Sequence, residues 1–281
     1  MGVIAVSDSI FVADGERVVA TVHARGPWDP GALHGGAPAA LLASAFERMQ
    51  PGAELRIARL SLQFLRPIPT TPLELSTTIV RPGRRVQELA GELRLAPSDA
   101  GGQPGEVVCR ASALRVLPVP AELPDMALTP ELDESGRGHP MGTPEQATPL
   151  VFALDASNEP SFASSAMEMR ALGDPRALGP ARVWMRLRHP LLPDQQLTPL
   201  ARLAATADFG NGISASLPFD RYLFINADLT IQLQRHPRGE WIGLDARTLL
   251  HEGGTGLAES VLHDVHGPVG RALQTLVVQV R

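Results

Sequence analysis

The two halves of the chain contain related segments in the same order. Residues 60–67 read LSLQFLRP, and residues 229–237 read LTIQLQRHP. A second pair, CRASAL at 109–114 and GRALQT at 270–275, follows later in each half. The first pair is offset by 169 positions (60 to 229) and the second by 161 (109 to 270), so the repeat has the size of a domain. Two related halves in one chain predict a pseudo-dimer, in which a site can persist in one half and be lost from the other.

The length of the chain agrees with this division. Its 281 residues exceed the common size of one domain and suit two domains of about 100–150 residues each. The stretch between the halves is rich in Pro and Gly, which disfavour long helices and central strands. We therefore predict a first domain at 1–117, a linker at 118–160, and a second domain at 161–281 that carries the polar site.

Composition excludes several classes of function. The net charge of −5 argues against a nucleic-acid partner, although all 25 basic residues are Arg. No apolar run approaches the roughly 20 residues needed to cross a bilayer, and no signal pattern opens the chain, so we expect a cytoplasmic protein without a membrane partner. The single Cys109 excludes an internal disulfide, and the histidines lack metal-ligand spacing, so we predict neither a metal nor a cofactor.

Each half shows the pattern of an α+β fold, with one helix followed by four antiparallel strands. The first helix is predicted at about Ala37–Met49, and the second near Pro199–Phe209 with Thr198 as its N-cap. Strands are predicted at 9–11, 17–22, 55–64, 73–81, 87–95 and 107–116, and at 164–172, 181–188, 227–234, 240–249, 256–263 and 270–280. The order of elements repeats, as the related segments require.

Five motifs together resemble the double-hotdog acyl-CoA thioesterases of the thioesterase II type, including the thioesterase-family proteins of actinobacteria. They are Trp28-Asp29-Pro30, His34-Gly35-Gly36, Phe64-Leu65-Arg66-Pro67, Asn226-Ala227-Asp228-Leu229-Thr230 and Gly239-Glu240-Trp241. The resemblance implies two tandem hotdog domains, each a long helix wrapped by an antiparallel sheet, with the sheets joined into one. It also implies an acyl-CoA substrate, hydrolysed to free fatty acid and CoA, and chains that can pair again as a homodimer.

The same resemblance implies a catalytic set in the second half. Its water-activating Asp falls on Asp208, its Gln on Gln274, and its hydroxyl residue, usually Thr, on Asn226. Independently of the family, a shielded carboxylate can deprotonate a water that amide groups hold in place. Gln274 interrupts an apolar strand where the first half has Ala113, and a polar group there is unfavourable for packing alone.

Two further groups of residues are candidates for substrate binding. His34, Gly35 and Gly36 precede the first helix, whose free N–H groups and positive dipole end suit a thioester oxygen. Capping of the helix start is the simpler role for His34. Arg81, Arg84 and Arg85 form a basic turn that suits the phosphates of CoA, and a solvated loop explains them equally well.

Two alternatives to hydrolysis remain open from the sequence. Asp29 and His34 have the five-residue spacing of the acid–base pair in hotdog enoyl-CoA hydratases, although the residues between them differ from that motif. A degenerate hotdog protein that binds acyl-CoA or lipid without catalysis is the other alternative, because fold does not determine function.

Overall fold

The computed structural model describes residues 7–50, 54–97, 103, 105–124, 140–151, 159–174 and 176–281. Much of the predicted linker, at 125–139 and 152–158, lies outside the described residues. Within the described part of that linker, the short strand β7 (Thr148–Pro149) pairs with the first strand of the second half.

Two antiparallel helices form the centre of the protein. Helix α1 (Gly36–Arg48) has Pro38 in its first turn, where the missing N–H leaves no hydrogen bond unmade. Helix α2 (Pro199–Ala207) begins at the predicted N-cap, since the Thr198 hydroxyl accepts a hydrogen bond of 3.3 Å from the Ala201 N–H. A short helix, α3 (Gly210–Ile213), follows directly and was not predicted.

Within the described residues, fourteen strands form one continuous antiparallel sheet around these helices. In the first half they are β1 (Phe11–Asp14), β2 (Arg17–Ala20), β3 (Arg56–Phe64), β4 (Leu73–Arg81), β5 (Val86–Leu95) and β6 (Val107–Val116). After β7 come β8 (Met167–Leu172), β9 (Ala181–Leu187), β10 (Tyr222–Asn226), β11 (Asp228–Leu233), β12 (Ile242–His251), β13 (Thr255–Asp264) and β14 (Gly267–Val280). The sheet order is β1-β2-β4-β5-β6-β3-β11-β14-β13-β12-β9-β8-β7, and β10 also pairs with β14.

The sheet has a pseudo-twofold axis between β3 and β11, where the two halves join. Ser61 lies opposite Thr230 across this junction. On its other side Ser61 pairs with Ser112, as Thr230 pairs with Leu273. These registers reproduce both offsets of the sequence repeat, 169 for the central strands (61 to 230) and 161 for the next pair (112 to 273). The double hotdog expected from the sequence is therefore confirmed.

The helices pack so that the C-terminal end of each lies at the N-terminal end of the other. At one end Arg48 Nη2 donates a hydrogen bond of 2.9 Å to the Gln196 carbonyl. At the other end α1 begins against the end of α2, and a Cβ added to Gly36 would lie only 2.6 Å from the Ala205 carbonyl oxygen. Glycine at this position therefore permits the close approach of the two helices.

Besides α3, the second half departs from the prediction in two further places. The strand predicted at 164–172 begins only at Met167, because Phe162–Ala166 forms a π-helical turn capped by the Ser161 hydroxyl. Strand β10 was not predicted, because residues 222–226 lie directly before β11 and give no separate turn signal. Within the described residues, no helix is both long and apolar enough to span a membrane.

Candidate active site

A cavity of about 520 Å³ opens between the two halves. The first half contributes the loop before α1 and the end of β3, and the second contributes the end of α2, β10 and β14. Its lining includes apolar Trp28, Phe64, Phe209 and Leu223, and polar His34, Asp208, Asn211 and Asn226. The volume lies within the range of about 300–1,000 Å³ that is common for small-molecule sites. A mostly apolar cavity with a few converging polar groups is typical of such sites.

Asp208 is the charged group at the inner wall of this cavity. It is the C-cap residue of α2 and is 4% exposed. Asn226 Nδ2 donates a hydrogen bond of 2.8 Å to Asp208 Oδ1. Gln274 Nε2 lies 3.1 Å from the Asp208 carbonyl oxygen and 3.4 Å from Oδ1. The three residues that the resemblance implied are thus adjacent in the fold.

Asn226 holds its position through the strands on either side of it. It ends β10, and its Nδ2 also donates to the Asp228 carbonyl oxygen at 3.3 Å. Asp228 in turn accepts a hydrogen bond of 2.6 Å from the Thr275 N–H of β14. The amide of Asn226 therefore has a fixed orientation toward the carboxylate.

Gln274 lies behind Asp208 rather than on the cavity wall. It is 1% exposed, and its Oε1 accepts a hydrogen bond of 3.0 Å from the Asn211 N–H of α3. A Cβ added to Gly210 would lie 2.8 Å from that oxygen, so glycine makes room for the amide. Gln274 thus connects β14 to the end of α2 and to α3, and it bonds to Asp208 from the protein side.

The start of α1 lies against the other carboxylate oxygen. His34 Nδ1 is 3.1 Å from Asp208 Oδ2, and a Cβ added to Gly35 would lie 2.7 Å from the same oxygen. The His34 ring packs against the rings of Phe209 at 4.3 Å and Phe162 at 5.0 Å, and those two rings also contact each other at 5.9 Å. The two aromatic rings therefore fix the plane of the imidazole.

The buried Cys109 has no nucleophilic role. Burial, together with the smaller effect of the nearby charge of Asp208, raises the pKa of its thiol to about 12. The thiol stays protonated at neutral pH, and a thiol is a poor nucleophile compared with its thiolate.

Some predicted residues are not brought to the inner site. The Asp29 carboxylate is exposed and accepts a hydrogen bond of 2.8 Å from the Gly31 N–H, whereas His34 contacts Asp208. Arg81, Arg84 and Arg85 lie at the β4–β5 turn, beside the start of β3, whereas the cavity is at the end of β3. They are thus separated from the cavity by about the length of β3, some 30 Å at 3.3 Å per residue.

Two residues near the site were missed by the sequence prediction. Arg66 lines the cavity with a 46% exposed side chain, and it forms an ion pair of 2.5 Å with Glu106. Its place in the repeated segment was a usable sequence signal. In the structure the matching Arg235 has a different role, because it forms two hydrogen bonds of 2.6 Å with the buried Asp264. Asn211 gave no such signal, because α3 itself was not predicted.

The first half has a different group at the position of Asp208. The offset of 161 relates Asp208 to Glu47, which is in the last turn of α1 and lies against the start of α2. Burial raises the pKa of Glu47, while hydrogen bonds from Thr198 and from the start of α2 lower it by less. The counterparts of Asn226 and Gln274 are the buried Ile57 and Ala113. The polar set of the second half is therefore not repeated.

Comparison with protein families identifies both halves. Residues 24–116 match the sequence model of the acyl-CoA thioesterase N-terminal domain, and residues 140–278 match that of the acyl-CoA thioesterase C-terminal domain. The chain belongs to the acyl-CoA thioesterase family. Thioester hydrolysis is accordingly the activity of this enzyme. Comparison with curated proteins gives no match.

Solved structures show that the thioesterase shares the hotdog fold. A conserved protein of unknown function with a hotdog fold from Alicyclobacillus acidocaldarius is 16% identical with a TM-score of 0.67, and the match covers 96% of both chains. Acyl-CoA thioesterase II TesB2 from Mycobacterium marinum is 17% identical with a TM-score of 0.62, over 95% of this chain and 94% of that one. A tesB protein from Mycobacterium avium subspecies paratuberculosis is 17% identical with a TM-score of 0.59, over 96% of both chains.

Proposed function

We propose that the enzyme hydrolyses acyl-CoA thioesters with a water molecule that Asp208 activates and that Asn226 and Gln274 help to position. The observation that carries this proposal is the buried Asp208 carboxylate at the cavity wall, 2.8 Å from the Asn226 amide and against the start of α1. Burying a charged side chain costs free energy. A buried carboxylate at the wall of a cavity is therefore a candidate for a functional role.

In the proposed reaction the water oxygen attacks the thioester carbonyl carbon while Asp208 takes one of its protons. The carbonyl oxygen becomes an oxyanion near the amides that begin α1, where the helix dipole stabilises negative charge. Collapse of this intermediate breaks the C–S bond, and the proton from Asp208 passes to the departing CoA sulfur. The products are a carboxylic acid and free CoA.

The assay that tests this function measures free thiol released from a panel of acyl-CoA esters of different chain length. Hydrolysis of at least one ester by the purified enzyme supports the proposal. Tight binding of acyl-CoA with no thiol release would instead support the non-catalytic binding protein, and hydration of an enoyl-CoA would support the hydratase.

Arg66 is the cationic group at the cavity to which we assign a contact with the CoA phosphates. We expect Arg66→Ala to raise KM for acyl-CoA by about fivefold to tenfold, because one exposed charge-assisted contact contributes on the order of 1 kcal/mol. Its kcat should change little, since Arg66 is not at the reacting atoms. Arg84→Ala is the matched control. An equal rise of KM in that variant would contradict the assignment to Arg66 and would indicate that the β4–β5 turn binds the CoA phosphates.

Asn226 occupies the position at which related enzymes carry Thr. We expect Asn226→Thr to keep or raise kcat, because a hydroxyl can donate to the Asp208 carboxylate and also accept from a water. Steady-state kinetics with the preferred acyl-CoA measures this. Asn226→Val, which has the shape of Thr without its hydroxyl, is the control and should lose activity. Equal rates for Thr and Val would exclude a role for the hydrogen bond.

The asymmetry of the halves predicts one functional site per chain. Isothermal titration calorimetry with a non-hydrolysable acyl-CoA analogue should show saturation at about one molecule per chain. The reason is that Ile57 and Ala113 replace two of the three polar groups in the first half. Saturation at two equivalent sites per chain would contradict this prediction.

A further inference from the structure

The side chain of Asn211 keeps a free hydrogen-bond acceptor at the cavity. Asn211 lines the cavity and is 8% exposed. Its backbone N–H donates to Gln274 Oε1 at 3.0 Å, and its Nδ2 donates to the Phe224 carbonyl oxygen at 3.3 Å. Within the described residues no donor binds its Oδ1, and this oxygen is not sealed away from solvent. A molecule in the cavity can therefore donate a hydrogen bond to Oδ1.

The backbone places Asn211 beside the proposed base. Asp208 and Phe209 keep the right-handed helical conformation, so the chain stays helical from α2 into α3. Residues three apart on such a path lie on one face, with about 5–6 Å between their Cβ atoms. Asp208 and Asn211 have this spacing, and both line the cavity. The spacing suits one water molecule that contacts both side chains.

The two halves differ at this point of the backbone. In the first half Met49 is extended and ends α1. In the second half α3 packs against β13 and β14. A Cβ added to Gly210 would lie 2.8 Å from Gln274 Oε1 and 2.9 Å from Ser260 Oγ, so glycine permits this packing. Asn211 thus reaches the cavity on a turn that continues the helix carrying Asp208.

A water molecule that attacks a thioester has two O–H donors. In the proposed mechanism Asp208 receives the proton of the first. The amide nitrogens of Asn226 and Gln274 already donate to Asp208, and a nitrogen donor cannot accept the second O–H. The second O–H requires an acceptor. Asn211 Oδ1 is a free acceptor on the same helical face as the base.

We propose that Asn211 Oδ1 accepts a hydrogen bond from the second O–H of the attacking water, and so selects water over other hydroxyl compounds as the nucleophile. This inference rests on the proposed function. With its two O–H groups held by Asp208 and Asn211, the water directs a lone pair at the carbonyl carbon. Methanol has one O–H, and its methyl group would leave Asn211 Oδ1 unpaired, which is unfavourable.

The choice of nucleophile is measured in methanol–water mixtures with the preferred acyl-CoA. In attack by methanol, its oxygen forms a bond to the carbonyl carbon, the C–S bond breaks, and the methanol proton passes through Asp208 to the CoA sulfur. The products are a methyl ester and CoA, instead of a carboxylic acid and CoA. Mass spectrometry gives the ratio of ester to acid, which does not depend on the amount of active enzyme.

Two variants of Asn211 separate its acceptor from the rest of the side chain. Leu has nearly the shape of Asn without its polar atoms, whereas Asp keeps an acceptor oxygen, and both lose the Nδ2 donor. We expect Asn211→Leu to raise the ester-to-acid ratio about fivefold to tenfold, the factor that one lost hydrogen bond can produce. Asn211→Asp should keep the ratio close to that of the parent enzyme. Gln274→Ala should slow both reactions and leave the ratio unchanged, because Gln274 acts through Asp208.

The outcomes distinguish this inference from the proposed function. Thiol release by Asn211→Leu with an unchanged ratio would overturn the inference alone. Equal rises in the Leu and Asp variants would also overturn it, because they would follow from the lost bond to the Phe224 carbonyl. A rise in Asn226→Val but not in Asn211→Leu would assign the second O–H to Asn226 instead. If the parent enzyme releases no thiol, the proposed function fails and the inference fails with it. Asn211→Ala also lacks the acceptor and gives the same comparison should the Leu variant not fold.

Discussion

Replacing Asp208 by Asn will lower kcat for acyl-CoA hydrolysis by about 10²-fold or more, the usual effect of removing a general base. The fold should be retained, because the side-chain oxygen of Asn can still accept from Asn226, and Gln274 also binds the backbone carbonyl of residue 208. The measurement is kcat from thiol release, together with the midpoint of thermal unfolding.

Asp29→Asn provides the matched control for this experiment. Asp29 also lines the cavity, but its carboxylate is exposed and accepts from a backbone amide. We expect this variant to keep nearly the full rate. A parental rate in Asp208→Asn would exclude Asp208 as the general base. A large loss of rate in Asp29→Asn would instead support a catalytic role for the Asp29/His34 pair.

Gln274→Ala should lower kcat by at least about tenfold, because Asp208 then loses one of the groups that fix its orientation. It should also lower the free energy of unfolding by about 1–3 kcal/mol, because the buried Asn211 N–H loses its acceptor. The Ala variant reproduces the first-half residue Ala113. Kinetics and urea unfolding of the same preparation measure the two effects.

Two comparisons sharpen this prediction. Thr275→Ala changes the next residue of β14, which is exposed, and should affect neither quantity. The double variant Gln274→Ala with Asn226→Ala should have a kcat only slightly below that of either single variant, since residues that act on one carboxylate are not additive. Fully additive losses would show that the two amides act independently.

Much of the fold could be predicted because the sequence repeats it. The bounds of β4 and β6 agree with the prediction at both ends, and the start of α2 follows from Thr198 and Pro199. The halves align because alternating apolar residues fix the register of each strand against the helices. The family resemblance then placed Asp208, Asn226 and Gln274 close together.

What the sequence could not provide are contacts between distant segments. The contact of His34 with Asp208 joins residues from different halves, and it depends on how closely α1 approaches α2. The π-helical turn that places Phe162 on the His34 ring has no periodic signal, because it is too short for one. Arg81, Arg84 and Arg85 were plausible by charge, but only the course of β3 shows how far they lie from the cavity.

The close approach at Gly36 also makes the spacing of the helices a control on the reaction. The Asp208 carboxylate is attached to the end of α2 and the amides of Gly35 and Gly36 to the start of α1, so in the proposed mechanism the gap between base and oxyanion donor is an interhelical distance. Packed interiors transmit small displacements. An alanine about two turns away in either helix, exchanged for a bulkier residue, would widen that gap and slow turnover without touching substrate. The catalytic rate would then report the separation of two helices.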